Sequence, residues 1–325
     1  MFAYLIRRLL YAIPILIGVN LLTFTLFFVV NTPQNMARSH LGEKYVTQDA
    51  IDHWMAEKGY DKPLFFNSEE QGVASLTDTI FFEKSLKLFV FDFGQSDQGR
   101  NIGTDVLTRL WPSLALAVPT FFIGIWINIC VALLALMFRG SSLDRFVIMV
   151  FVALMSISYL FYIIAGQYLF AGLWRLVPIS GFNLGVDAWR FLVLPVIIGV
   201  LSGLGAGARW YRTLFIEASG QDYVQTARAK GASEIRVLFH HILPNALLPI
   251  LTGVVVVIPL LFMGSLIMES FFGIPGLGSY MLSAIQAQDF AIVRAMVFVG
   301  SALYIIGLIL TDISYTWADP RVRLN

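Results

Sequence analysis

DYVQTARAKGAS, residues 222–233, is a polar stretch lodged between two long apolar segments, and it carries its own helix punctuation. Asp222 can cap a helix N-terminus, and Gln225 stands three residues on, where it can bond back to the cap. Arg228 and Lys230 fall in the last turn, where positive charge complements the helix dipole, and Gly231 supplies the left-handed conformation that ends a helix. Eight residues at 1.5 Å each give a rod of about 12 Å, too short to cross a bilayer but long enough to lie on its surface. A second start follows, with Ser233 as cap and Glu234 in the first turn, and it runs to a predicted break at Leu243–Pro244. The stretch reads as a solvated loop or as a small helix built to meet a partner.

The rest of the chain sets the class. Of its 325 residues 58% are hydrophobic and 13% charged, against about 25% charged in ordinary soluble domains. Uncharged runs long enough for about 30 Å of hydrocarbon lie at Leu9–Val30, Trp111–Phe138, Phe146–Leu173, Phe191–Ala208, Ala246–Met268 and Ala295–Thr311. The expectation is an all-α polytopic membrane protein with six transmembrane helices. Pro112 and Pro119 place the entry of the second span a few residues late.

Orientation follows from the basic residues of the short loops rather than from the net charge of +1. Arg7 and Arg8 precede the first span, Arg139 and Arg145 join the second and third, Arg209, Arg212, Arg228, Lys230 and Arg236 join the fourth and fifth, and Arg321 and Arg323 end the chain. By the positive-inside rule all of these are cytoplasmic, and so are both termini. Three parts result: residues 1–30 with the first span, an extracytoplasmic region at 31–109, and a five-span core at 110–325 that includes the cytoplasmic loop 209–245. The first apolar run is longer than the 7–15 residues of a signal peptide, so it reads as an uncleaved anchor.

Within 31–109, acidic residues such as Glu43, Asp49, Asp52, Glu57, Glu69 and Glu70 outweigh the basic ones. Thr47, Ile51, Trp54 and Met55 spell a capped amphipathic helix, and Leu86–Phe93 reads as a strand or a packed turn. This part suits a cover over the spans, with docking of an extracytoplasmic partner as the sharper alternative. The single cysteine, Cys130, rules out an intramolecular disulfide framework.

Enzyme signatures are missing. The sequence contains no GxxxxGK nucleotide loop, HExxH, GxSxG or paired cysteine ligands, so neither catalytic nor metal residues are assigned. His240 and His241 are neighbours, which on a helix point about 100° apart and make a poor metal pair. Gly199, Gly203 and Gly207 form a small-residue stripe suited to close helix packing in lipid. Glu269 and Asp312 are ionisable groups at span ends, where charge is tolerated only against protein or water. Glu269 precedes SFFGIPGLGS, in which Pro275 sets a turn and Gly273, Gly276 and Gly278 permit unusual backbone. Such a segment suits either a plain turn or an irregular loop at the mouth of a pathway.

These residues together resemble the first-type inner-membrane permease subunit of the ABC importers for dipeptides, oligopeptides and nickel. The loop at 222–244 is similar to that superfamily's EAA loop. Ala227, Gly231, Leu243 and Pro244 match in register, whereas Gln225, Thr226 and His241 replace the usual Glu, Ala and Ile. The peptide branch commonly carries a form close to DYVxTARAKG, which is kept here almost intact. YLIRRLL near the start, LVPISGF at 176–182, ESFFGIPGLG at 269–278 and DISYTWADPRVR at 312–323 match as well. Departures are NTPQNMA in place of a Pro-Gly-Asp-Pro turn after the first span, and Ile157-Ser158-Tyr159 in place of Pro-Ser-Phe.

The resemblance implies a type I ABC importer permease with an extended outer loop, in a bacterial inner membrane. Its implied partners are a second homologous permease subunit, two cytoplasmic ATP-binding subunits, an extracytoplasmic substrate-binding protein, the lipid bilayer and a peptide substrate; nucleic acid is not among them. No cofactor is expected on this chain, because ATP and Mg would sit on the ATPase subunits. The implied coupling residues are Asp222, Tyr223, Thr226, Ala227, Arg228, Ala229, Lys230, Gly231 and Ala232, with Tyr223, Ala227 and Gly231 carrying the contact. Glu269, Gly273, Pro275, Gly276 and Gly278 are the expected outer gate. Nickel or glutathione is the alternative cargo. A secondary transporter is the rival class, disfavoured because no internal repeat or midplane charge is visible.

Overall fold

The computed structural model describes residues 2–42, 46–183, 185 and 187–318. Glu43 and the closing arginines Arg321 and Arg323, with the end of the DISYTWADPRVR motif, lie outside the described residues. The described chain is nearly all helix, and its only β pairing is an isolated bridge, Gln95 to Asn101. Among the described residues, four helices are long and apolar enough to cross a membrane, and the spans number six if each of two bent pairs is counted as one. Contacts divide the chain into two compact units: one holds the residues up to Arg109 with Tyr280–Ile309, the other Leu110–Ser279 with the following end of the last helix.

The first unit is built around the helix Phe2–Phe24 and its π-helical continuation Thr25–Val30. Phe24 and Phe28, near its end, join Met36, Ala37, Ile51, Trp54, Tyr60 and Ile80 in a buried core. This core of the outer region is thus shared with the end of the first span. Thr32, Thr47 and Thr79 each cap a helix, at Pro33–Leu41, Gln48–Lys58 and Ile80–Lys84, by accepting an amide N–H three residues on. The Thr47 cap and the burial of Ile51 and Trp54 match the periodicity. Leu86–Val90 is a 3₁₀ turn, not a strand. Asn20, well inside the apolar run, donates from Nδ2 to the Ser85 carbonyl at 2.9 Å, which gives a buried irregular segment the partner it cannot find in lipid.

Ile102–Met137 is one helix that passes through both Pro112 and Pro119, and from Leu110 onward it belongs to the second unit. The predicted third span, Phe146–Leu173, is not one rod. Ser142–Ser156 and Tyr159–Leu173 meet at 89°. Ile157 is extended at ψ 130°, and Ser158 caps the new helix through Phe161 N–H at 3.2 Å. Uniform hydropathy hides that break, because Ile157 and Tyr159 are apolar and a single serine does not interrupt the run.

The fourth helix, Ala188–Ser219, continues well past the predicted end at Ala208. The glycine stripe serves packing at two of its three positions: a Cβ at Gly199 would lie 2.6 Å from Thr120, and one at Gly207 2.6 Å from Asn128. Gly203 faces open space, while a Cβ on Gly205, off the stripe, would lie 2.7 Å from the Phe151 carbonyl. The predicted break at Leu243–Pro244 is also corrected. Glu234–Val237 runs through a π-helical stretch, Leu238–Ile242, directly into Leu243–Leu261. Pro244 sits in the first turn of that last segment, where the wider preceding turn leaves its missing N–H without a demand. The bend, 48°, comes at Pro249.

Candidate coupling helix and outer loop

Asp222–Ala229 forms the predicted short helix, but its start is shifted by one residue. Gln221 takes the extended cap position at ψ 152°, with no side-chain bond, so the expected Asp222–Gln225 capping box does not form. Asp222 is instead the first helical residue, where its charge still faces the positive end of the dipole. Thr226 Oγ1 donates to the Asp222 carbonyl at 2.9 Å.

The other end agrees with the sequence in detail. Gly231 has φ +79°. Its N–H reaches the Arg228 carbonyl at 2.9 Å, and the N–H of Ala232 reaches Ala227 at 3.1 Å, the paired bonds of a Schellman turn. The chain is then free to restart at once, with Ser233 capping Arg236 N–H at 3.4 Å.

Burial reassigns the roles on this helix. Val224 is 0% and Ala227 7% exposed. Both sit in the chain's own core, with Leu136, Tyr211, Phe215, Val237, Leu238 and Ile242. Ala227 therefore helps to seat the helix on its own chain. Arg228 is held at home too, its Nε and Nη2 donating to the two carboxylate oxygens of Glu234 at 2.9 and 3.0 Å. The exposed residues of the helix are Asp222, Tyr223, Gln225, Thr226, Arg228, Ala229 and Lys230, with Gly231 at its end. Tyr223 is the one large apolar group among them, and it points its hydroxyl to the Ala218 carbonyl at 3.4 Å.

One residue read only as a topology marker does more. Arg212 donates from Nη2 to Asp144 Oδ1 at 2.6 Å, with side chains 15% and 10% exposed. Asp144 also accepts the Gly140 N–H at 3.0 Å, so the turn at 138–142 is tied to the helix that leads into the short helix. Losing one partner of a buried pair of this kind costs about 3–5 kcal/mol, because the other charge is left uncompensated. Position-by-position charge counting could not see the pair, since its members are far apart in the chain.

At the other motif, Glu269 is 0% exposed. It is the centre of a nest. Ser113 Oγ and Ser265 N–H donate to its Oε1 at 2.8 and 3.0 Å, and Ser279 N–H donates to Oε2 at 2.9 Å. Ser113 Oγ in turn accepts the Leu277 N–H at 2.7 Å. Burial pushes the Glu269 carboxyl up, while these donors pull it down. The glycines explain themselves here: a Cβ on Gly276 would collide with Glu269 Oε2 and Ser113 Oγ, and one on Gly278 would lie 2.6 Å from Leu266 N. Gly273, at φ +63°, ends the helix Leu266–Phe272, and Pro275 is exposed.

Two further residues were not visible as site residues in the sequence. Gly181 N–H donates to the Phe272 carbonyl at 2.7 Å. Gln167 Nε2 bridges the carbonyls of Ile179 and Phe271 at 3.1 and 3.0 Å. The motifs at 176–182 and 269–278, distant in the chain, thus form one hydrogen-bonded piece. Beside it lies a cavity of about 250 Å³ lined by Ser113, Thr120, Tyr159, Gly264, Ser265 and Met268.

Comparison with known proteins places the arrangement. Residues 120–324 match the family model of the binding-protein-dependent transport system inner membrane component, and residues 1–87 match its N-terminal counterpart. The chain belongs to this family of transport-system permeases. A Brucella abortus protein whose assigned name is a peptide transport system permease is 32% identical over the whole of both chains. The dipeptide transport system permease protein of Escherichia coli K12 is 27% identical over 99% of each. A Sinorhizobium fredii protein, named as a peptide ABC transporter permease, is 30% identical over 78% of this chain and 86% of its own. As a permease component of a binding-protein-dependent transporter, the chain is a membrane protein and has no catalytic role of its own.

Proposed function

We propose that this chain forms half of the translocation path of an ABC importer for di- and oligopeptides. It pairs with a second permease of the same kind, two cytoplasmic ATPases that bind ATP and Mg, and an extracytoplasmic binding protein. The observation that carries the coupling is the short helix 222–229: anchored beneath by Val224 and Ala227, closed by the Gly231 turn, and open on the Tyr223 side. A helix held on one face by its own chain and bare on the other transmits a push without deforming. Closure of the ATPase pair would press on Tyr223 and its neighbours, with Lys230 tuning specificity at the rim. The seated core would pass that movement to Ala188–Ser219 and Leu243–Leu261. Peptide as cargo rests on the names of the relatives at 27–32% identity.

The test is uptake by proteoliposomes that hold the assembled transporter and its binding protein. ATP-dependent accumulation of a labelled dipeptide is expected, with ATP hydrolysis stimulated by the loaded binding protein; accumulation of nickel or glutathione in its place would overturn the peptide assignment.

The same reading puts both termini and 209–245 in the cytoplasm and 31–109 outside. In a Cys130→Ser background, an impermeant maleimide applied to intact cells is expected to label a cysteine at position 70, which is exposed, and to leave one at position 230 unlabelled until the cells are opened. The reverse pattern would invert the topology.

A further inference from the structure

Away from both motifs, the first unit encloses a cavity of about 150 Å³. Its wall carries four cationic side chains, Lys58, Lys84, Lys87 and Arg294, against three carboxylates, Glu83, Asp92 and Asp97. Two of the acids are engaged by other cations. Glu83 takes Lys62 Nζ, a group outside the wall, at 2.6 Å, and Asp97 takes Lys58 Nζ at 2.9 Å. Asp92 is exposed and accepts the Gly94 N–H at 3.2 Å.

Among the described residues the remaining cations have no carboxylate in direct contact. Arg294 is only 4% exposed. Its Nε and Nη1 donate to the carbonyls of Phe290 and Lys84 at 3.2 and 3.3 Å, and its guanidinium lies 4.7 Å from the centre of the Phe28 ring. None of those partners carries a negative charge. Asp289, the nearest acid on the same stretch, spends its oxygens on the N–H groups of Asp97 and Ile292 at 2.7 and 3.2 Å. Lys84 Nζ sits 5.4 Å from the centre of the Tyr60 ring. Burial first, and then Arg294, holds its ammonium below the ordinary lysine value. Among the described residues neither Lys84 nor Lys87 is paired with a carboxylate. Like charges gathered around a half-enclosed space, each with donors to spare, are stabilised by an anion between them.

We propose that this cavity binds a small monoanion of the carboxylate class, held between the guanidinium of Arg294 and the ammonium groups of Lys84 and Lys87. With Glu83 taken by Lys62 and Asp97 by Lys58, three cations face Asp92 and the neighbouring Asp289, and that excess of one positive charge suits one negative charge. A planar carboxylate also matches the forked donors of arginine better than a spherical ion does. Filling the site ties the segment 80–87 to the start of the helix Phe290–Ala318.

The experiment uses the purified full transporter in detergent, with chloride replaced stepwise by acetate at constant ionic strength and thermal unfolding as readout. The midpoint is expected to rise with acetate in the wild type and in the charge-keeping Lys84→Arg. The acetate needed for half the rise is expected to increase about ten-fold or more in Lys84→Met/Lys87→Met, the loss that goes with removing a charge-assisted hydrogen bond. Should the double variant fail to assemble, Lys87→Met alone supports the same comparison. An acetate-independent midpoint in the wild type overturns the site, and so does an unchanged acetate response in the lysine variants. Equal stabilisation by sulfate, at equal ionic strength, overturns the monoanion assignment.

Discussion

Replacing Ala227 with glutamate is expected to unseat the short helix and abolish ATPase recruitment. Its side chain is 7% exposed and packed with Val224, Val237, Leu238 and Phe215. A carboxylate there has no hydrogen-bond partner, and leaving a charge buried and unpaired costs several kcal/mol, more than one helix held by two small apolar side chains can offset. The segment would swing out and unravel, which opens the backbone at Arg228 and Lys230, whose side chains are already exposed, to a protease. Trypsin applied to the purified permease pair is expected to cut there in Ala227→Glu and to spare the wild type. Ala229→Glu separates seating from contact, because that side chain is exposed: trypsin resistance should stay as in the wild type, while ATPase co-purification falls. Gly231→Val meets no atoms within 4 Å but must hold φ +79°, which predicts a milder loss of about 1 kcal/mol. Wild-type trypsin resistance and ATPase binding in Ala227→Glu would show that the helix is not seated as described.

The second large effect is expected from Gly276→Val. Any Cβ at this position collides with Glu269 Oε2 and Ser113 Oγ, so valine cannot be accommodated by a simple rotamer change. Overpacking costs about 1–3 kcal/mol, and pushing the Glu269 carboxylate off its donors adds the penalty of a buried unsatisfied charge. A drop of several degrees in the thermal midpoint of the assembled transporter is expected, together with loss of uptake. Glu269→Gln is the sharper probe. It keeps volume but must turn an amide N–H₂ toward a backbone N–H, from Ser265 or Ser279, that the carboxylate now satisfies. If the loop acts as a gate as well as a staple, Glu269→Gln loses more uptake than its midpoint shift predicts. Wild-type midpoint and uptake in Gly276→Val would count against both roles.

How much of this was legible beforehand differs by element. The all-helical membrane class follows from the composition alone, because runs of apolar residues of this length have no other solvent. The Gly231 turn and the Thr47 cap were legible residue by residue, since each is a local bond between near neighbours that needs a particular side chain or its absence. The cap differs from the expected Asp222 by one position because the extended residue is Gln221, which makes no side-chain cap bond and so leaves no signature in the sequence. The break at Ile157–Ser158 was hidden, and so was the continuity through Leu243–Pro244. Hydropathy measures affinity for lipid, not the direction of the backbone.

What the sequence by itself determined is therefore the solvent of each segment and the punctuation of the short helix. Which face of that helix is free, however, was decided only by the packing of Val224 and Ala227 onto residues from three other stretches of chain. The same holds for Glu269: its position at a span end marked it as costly, but the donors that make it tolerable come from Ser113, Ser265 and Ser279. The physical reason is common to both cases. Solvent preference and caps are properties of one residue and its near neighbours, whereas the burial of a methyl or a carboxylate depends on what distant segments bring to it.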